Sequence, residues 1–369
     1  MSELPKEDIG RWRNGGNGMK KRLLALVLGV TMAAMSLTGC GTVGGKQETS
    51  TEQSQTTTDA AESTDTSNTQ TAETEEGKVY KIGICQQLEH QALDAATEGF
   101  QAALVEKLGE ANVEFDYQNA QGEQTNCATI ATKFVNSDVD LIMANATTAL
   151  QACSAATADI PVIGTSVTDF VSAGVVNSND APGRNVTGTS DLAPIDQQVA
   201  LLKTLAPEAK TVAIMYCSAE SNSVFQADMA EEMLKADGFT VNRYTVADSN
   251  DIQQVVTKVV EENDVIYIPT DNTLANNMEI VKNVTVPAKK MVIAGEENMC
   301  AVGGLATLSI SYYSLGYNAG LMAYEILANG AKPAEMPIQY ADEVTLKYNA
   351  EIASALEMTM PEDMVAIGE

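Results

Sequence analysis

The feature that most constrains this chain is a pattern that occurs twice. Residues 78–169 divide into KVYKIGICQ, ALDAATEGFQAALVEKLG, VEFDYQNA, CATIATKFVNSD, VDLIMANATT, ALQACSAATAD and IPVIGTSVTD. Residues 210–298 repeat the series as KTVAIMYCSA, SVFQADMAEEMLKADG, FTVNRYTVAD, DIQQVVTKVVEEN, DVIYIPTDNT, LANNMEIVKNVTVPA and KKMVIAGEEN. Each pass predicts strands and helices in the order β-α-β-α-β-α-β. Short apolar, β-branched strands alternating with helices form parallel sheets covered on both faces. The expected fold class is therefore α/β, with two similar, doubly wound parallel-sheet lobes joined by a hinge. Ligands of such sheets sit beyond the carboxyl ends of the strands, and two lobes make that crevice the cleft between them. The loops to search are 86–91, 119–124, 145–149 and 165–170 in the first lobe. In the second they are 217–223, 248–251, 270–273 and 295–299. After the second pass, a helix over 315–328, stopped by Gly330 and Pro333, reads as a return crossing. Residues 338–356 add one more strand and helix.

The amino-terminal region has a different character. Met19-Lys20-Lys21-Arg22 precedes the apolar run LLALVLGVTMAAMSL (23–37), the pattern of a secretory signal. The run falls short of the roughly 20 residues that span a bilayer as a helix. Leu37-Thr38-Gly39-Cys40 resembles a bacterial lipobox, which predicts cleavage before Cys40 and lipid on its thiol, so that membrane attachment runs through that one residue. Residues 1–18 do not fit a signal n-region, and Met19 is the more natural start. Residues 41–77 are Ser, Thr, Gln, Glu and Gly with almost no apolar content, and read as a disordered leash. The leader is placed at 1–39 and the lipidated cysteine with its linker at 40–77.

The remaining 292 residues suit two domains. The chain carries 22 basic and 50 acidic residues, of which the first 77 positions hold 7 and 11, leaving a net charge of −24 on the folded part. That charge argues against nucleic acid or an anionic membrane surface as the main partner. Cys85, Cys127, Cys153, Cys217 and Cys300 are odd in number and widely spaced, and read as buried free thiols rather than a disulfide framework. Cys127 shares a helical face with Ile130, Ala131 and Phe134.

Two loops form a matched pair: ANATT (144–148) and IPTDNT (268–273) each follow a third strand and open a helix. A helix amino terminus favours an anion, and Thr147 and Thr148 add hydroxyl donors. Asp271 opposite could accept from an ammonium group, and Glu296 closes the next strand of the second lobe. Anion donors in one lobe and carboxylates in the other would suit a zwitterion. Helix capping by Thr147, Thr148 and Asp271 explains the same residues equally well. Signals of catalysis are thin. His90 is the single histidine, no close-spaced Cys/His set exists for a metal, and neither a P-loop nor a GxSxG motif is present. No cofactor is expected.

The blocks IGICQQLEHQALDAATEGFQAAL, DYQNAQGEQTN, SVTDFVSAGVV, NVTGTSDLAP, YIPTDNT and SISYYSLGYNAG resemble the substrate-binding lipoproteins of an ABC-transporter family associated with uptake of tryptophan, tyrosine or phenylalanine. The likeness runs from about residue 80 to 350. It implies a type I periplasmic-binding-protein fold: two lobes, three crossing segments and closure around a buried ligand. The lobes would comprise 78–192 with 312–338, and 193–308 with 341–369. By position, Thr147, Thr148, Thr165 and Ser166 would hold a ligand carboxylate, and Asp271 and Glu296 its amine. Glu89, His90, Asp191, Asn222 and Ser223 would line the rest, together with the loop neighbours Thr168, Asp169, Thr270 and Asn272. The implied partners are an ABC permease and its ATPase, with the chain a monomer outside the cytoplasm. The sequence departs from the family at Cys217, where relatives often carry asparagine, and at Gln91, where a proline is common. Competing readings are a nucleoside or sugar ligand on the same fold, a sensor that does not feed a transporter, or an enzyme relying on His90. Stacking sugar sites need aromatics, and this chain is only 5% aromatic.

Overall fold

The computed structural model describes residues 77–341 and 343–368. The leader, Cys40 and the linker up to residue 76 lie outside the described residues. The first pass forms β1 (Tyr80–Gln86), α1 (Gln91–Leu108), β2 (Val113–Asn119), α2 (Gln124–Asn136), β3 (Leu141–Asn145), α3 (Thr147–Ala156) and β4 (Val162–Val167), followed by β5 (Val186–Ser190). The second forms α4 (Ile195–Leu205), β6 (Thr211–Cys217), α5 (Ser221–Ala236), β7 (Thr240–Val246), α6 (Ile252–Glu262), β8 (Val265–Ile268), α7 (Asn272–Ala275), α8 (Met278–Thr285), β9 (Met291–Ala294), α9 (Glu297–Val302) and β10 (Ala306–Ser309). The chain finishes with α10 (Tyr312–Asn329), β11 (Gln339–Tyr340), β12 (Thr345–Tyr348), α11 (Ala350–Ala355) and β13 (Val365–Ala366).

These strands make two sheets, in the orders β11-β5-β4-β3-β1-β2 and β13-β12-β10-β9-β8-β6-β7. Pairing is parallel throughout, except that β12 runs antiparallel to β10. Each sheet is the centre of one lobe, with apolar residues packed on both faces. In the first lobe Phe134, Leu150 and Phe170 fill one side and Ile84, Phe100 and Met322 the other. In the second, Leu202, Ile214 and Tyr267 oppose Val256, Ile266 and Met299. Double-sided burial is why the strands read as continuous apolar runs rather than alternating ones. All five cysteines in the described part are buried free thiols. Cys127 packs with Ile130, Ala131 and Phe134, the face its spacing predicts.

The chain passes from one sheet to the other three times: after β5, after β10 and after β11. The helix expected over 315–328 extends to 312–329. Ser311 Oγ accepts from Ser314 N at its start, and Gly330 ends it at φ 69°. It packs along α1 at very short range. A Cβ at Gly316 would lie 1.8 Å from the Ala96 carbonyl oxygen, and one at Gly99 2.1 Å from that of Tyr313. The helix expected over 274–288 is instead two, broken at Asn276 and Asn277. Asn277 Nδ2 donates to the Thr273 carbonyl at 2.8 Å, the local side-chain bonding by which asparagine interrupts helices. β5 and β10 were not expected as strands, because VTGTS and ATLS lack an apolar run.

Candidate functional site

The carboxyl ends of both sheets face one cleft, and its innermost part is a cavity of about 10 Å³, room for about one water. The first lobe supplies His90 and Leu93 from the start of α1, Ser166 and Thr168 from the end of β4, and Asp191 just past β5. The second supplies Asn222 from α5, Thr270, Asp271, Asn272 and Ala275 around α7, and Glu296 after β9; Tyr312 enters at the head of α10. An outer groove of about 460 Å³ lies between the lobes and is lined by Gln87, Leu88, Thr148 and Gln151 on one side and Cys217, Ala219, Glu220, Ala247 and Thr273 on the other.

Glycine makes one of these approaches possible. A Cβ at Gly295 would stand 2.1 Å from Thr270 N, so only glycine lets the loops after β8 and β9 touch and place Thr270 beside Glu296. Two non-glycine residues next to the cleft hold left-handed backbone: Ser166 at φ 55° and Ala146 at φ 85°. With ψ 160°, Ala146 occupies a region nearly reserved for glycine.

Two expected ligand carboxylates also cap helices. Asp271, fully buried, accepts from Leu274 N at 2.8 Å and from Cys217 N at 2.6 Å. Glu296, 2% exposed, accepts from Asn298 N at 2.7 Å and Met299 N at 2.5 Å. Burial pushes the Glu296 carboxyl up to about 7. Burial, reinforced by the charge of Glu220, holds Asp271 well above the usual carboxylate range. Asp191 is raised in the same way by burial, against the hydrogen bonds it accepts from Tyr312 Oη at 2.9 Å and Thr168 Oγ1 at 3.1 Å. None of Asp191, Glu220, Asp271 and Glu296 is paired with a lysine or arginine among the described residues.

Glu220 was missed from sequence. It is 3% exposed and organises the mouth of the site. Its carboxylate accepts from Asn272 N (3.0 Å) and Nδ2 (2.7 Å), and from Thr273 N and Oγ1 (both 2.8 Å). A carboxylate only accepts, so the Asn272 amide nitrogen must face Glu220 and its oxygen must face His90. His90 Nε2, 3.2 Å away, is then the protonated ring nitrogen. Its Nδ1 is left as a buried acceptor without a partner, and burial lowers the imidazole's pKa, which favours this neutral form. Asn222 is fixed by the same reasoning. Its Nδ2 donates to Glu220 (3.3 Å) and to the Thr270 carbonyl (3.2 Å), leaving a buried Oδ1 without a partner. Ser166 Oγ is a third unpartnered atom. The cavity thus gathers acidic groups and free acceptors, with no lysine or arginine among its lining residues.

Of the fifteen residues expected from sequence, the structure brings His90, Ser166, Thr168, Asp191, Asn222, Thr270, Asp271, Asn272 and Glu296 to the inner cavity. Thr148 lines the outer groove, where its backbone N–H donates to Gln87 Oε1 at 3.3 Å. An uncharged oxygen therefore occupies the amide end of α3. Thr147 is buried at the start of α3, outside both lining sets, and Thr165 Oγ1 is hydrogen-bonded to Thr189 Oγ1 at 2.9 Å. Ser223 is buried against the Thr270 carbonyl at 3.3 Å. Glu89 is exposed and receives Asn119 Nδ2 at 3.4 Å, and Asp169 caps Ser172 N at 2.6 Å and holds Asn179. Tyr312, Leu93 and Ala275 are lining residues that the sequence reading did not single out.

Among the described residues three hydrogen bonds cross the cleft: His90 with Asn272, Gln226 Nε2 to Thr168 Oγ1 at 3.4 Å, and Gln151 Nε2 to Ser221 Oγ at 3.5 Å. The chain is 36% identical to the L-Trp complex of an ABC domain from Streptococcus pneumonia, with a TM-score of 0.75 over 77% of this chain and 97% of that one. It is 40% identical to a substrate binding protein with adhesive properties from Clostridium difficile in a ligand-free, open structure, covering 78% of this chain and 99% of that one. The TM-score there is only 0.62. A tyrosine-binding protein of Clostridioides difficile (strain R20291) is 36% identical over 92% of this chain and 93% of its own length. A profile described as ABC transporter substrate binding protein matches residues 81–368. The two-lobed α/β cleft and these matches agree: the chain belongs to the ABC transporter substrate-binding proteins, which bind rather than transform their ligands.

Proposed function

We propose that this protein captures an aromatic amino acid, tyrosine or tryptophan, between its lobes and delivers it to an ABC permease. The observation that carries the ligand class is the set of buried carboxylates without a cationic partner, beside the bare acceptors His90 Nδ1 and Asn222 Oδ1. Buried charge is costly unless paired. An ammonium group supplies three donors and the missing positive charge at once. The ligand carboxylate takes the amide end of α3, displacing Gln87 Oε1 from Thr148 N, and the ring lies toward the outer groove against Leu88, Cys217, Ala219 and Ala247. The tyrosine-binding relative and the L-Trp complex support an aromatic side chain. With so little free space in the inner cavity, the ligand enters only when the lobes part, and binding both lobes favours closure.

Substrate-binding proteins of ABC importers work outside the cytoplasm, and this chain is placed there. Lipid on Cys40 anchors it, the acidic-polar leash of 41–77 gives it reach, and it acts as a monomer. No described helix is long and apolar enough to cross a membrane. A thermal-shift screen against the twenty amino acids, nucleosides and common sugars tests the ligand class. Ligand at a hundredfold excess over its dissociation constant stabilises the fold by about 2.7 kcal/mol. A shift with tyrosine, tryptophan or phenylalanine is expected. A shift with a nucleoside or sugar and no amino acid would overturn the assignment.

A further inference from the structure

Gln226 lies on α5, 1% exposed, with a side chain that a purely structural helix face would make apolar. Its amide grips the loop after β8 on both sides. Nε2 donates to the Thr270 carbonyl at 3.1 Å, and Oε1 accepts from Thr270 N at 3.3 Å. The same Nε2 donates to Thr168 Oγ1 in the other lobe at 3.4 Å. Thr168 Oγ1 in turn donates to Asp191 Oδ1, and Asp191 Oδ2 accepts from Tyr312 Oη. Asp191 opens the first crossing between the lobes, and Tyr312 follows the second. Nε2 also reaches the Asn222 carbonyl at 3.2 Å, so its two hydrogens are shared among three acceptors, and the bonds run from the ligand loop of the second lobe, through Thr168, to two hinge crossings. Thr270, Thr168, Asp191 and Tyr312 all line the inner cavity.

We propose that Gln226 is a closure latch: through its bond to Thr168 it ties the Thr270 loop to the hinge and favours the ligand-holding arrangement of the lobes. Gln226 does not line the cavity, so it acts by positioning rather than by ligand contact. The bond exists only when the lobes are together, and its contribution therefore appears in closure and affinity but not in the stability of either lobe.

The latch rests on the aromatic amino-acid reading only for its probe. Tyrosine titrations of the full chain would compare the wild type, Gln226→Met, Thr168→Val and the double variant. Each single variant is expected to weaken binding about tenfold, equivalent to about 1.4 kcal/mol. The double variant should fall short of the product of the single effects by at least threefold, because both remove one shared bond. In a Thr168→Ser background, which keeps the hydroxyl, Gln226→Met should weaken binding by the same factor as it does in the wild type. Thermal unfolding without ligand should show no such coupling. Simple multiplication of the single effects, or equal coupling in unfolding, would overturn the latch. If the wild type binds none of the aromatic amino acids, the functional reading fails while the latch is still tested by distance. Spin labels at Thr132→Cys and Gln254→Cys, with Cys40→Ser, should show a population at short interlobe separation that Gln226→Met and Thr168→Val shift toward longer distances. Identical distributions would contradict the proposal.

Discussion

Glu220 shows how one buried carboxylate can order a site without being its obvious ligand. It fixes the amide of Asn272, which fixes the tautomer of His90, which leaves Nδ1 as an acceptor toward the cavity. Glu220→Ala strands two backbone N–H groups and two side chains. Unsatisfied buried donors of this kind cost about 1–3 kcal/mol each. A lowered melting temperature, with ligand affinity at least tenfold weaker, is the expected outcome, and unchanged affinity would show that the mouth of the site does not depend on it. The acid cluster also predicts a pH dependence. A carboxyl whose pKa is raised on folding holds a proton that the unfolded chain has released. Stability then falls as pH rises from the ordinary carboxylate range through the folded value. Glu296 contributes this loss up to about 7 and Asp271 continues it, with Asp191 in the same direction. His90 acts oppositely, since its lowered value removes stability as pH drops below about 6.5. Without ligand, melting at pH 8.5 should come at a lower temperature than at pH 6.5, and Glu296→Gln should flatten the difference.

At the scale of elements, close approaches separate the parts that build the site from those that build the lobe. Gly295→Ala forces the loops after β8 and β9 apart and moves Thr270 and Glu296 away from the cavity. Gly316→Ala drives α10 away from α1 inside the first lobe. Overpacking of this kind costs about 1–3 kcal/mol. Both variants should melt lower, but only Gly295→Ala should also lose ligand affinity; equal losses would erase the distinction. The repeated strand–helix pattern was legible because strands such as LIMAN and VIYI are buried on both sides and therefore apolar throughout. β5 and β10 escaped because threonine, serine and glycine fill them, and their place in the sheet comes from their neighbours. Within the site, Asp271 and Glu296 were legible because they sit where a strand ends. Glu220 was not, since YCSAE carries no pattern that distinguishes a buried acid from a surface one. Tyr312 was hidden because the crossing that carries it to the cavity joins segments far apart in sequence.

In the whole molecule, closure and charge compensation are expected to be one event. The lobes meet over an acceptor-rich, anionic cleft, bonded across by His90–Asn272, Gln226–Thr168 and Gln151–Ser221. An ammonium group beside the raised carboxyls favours their ionised form and lowers their hold on protons, so binding should release protons. Calorimetric titration of tyrosine into the protein at pH 7, in phosphate and in Tris, tests this most directly. The expected result is binding whose enthalpy differs between the buffers in the sense of proton release. Absence of binding, or binding with proton uptake or no exchange at all, would contradict it.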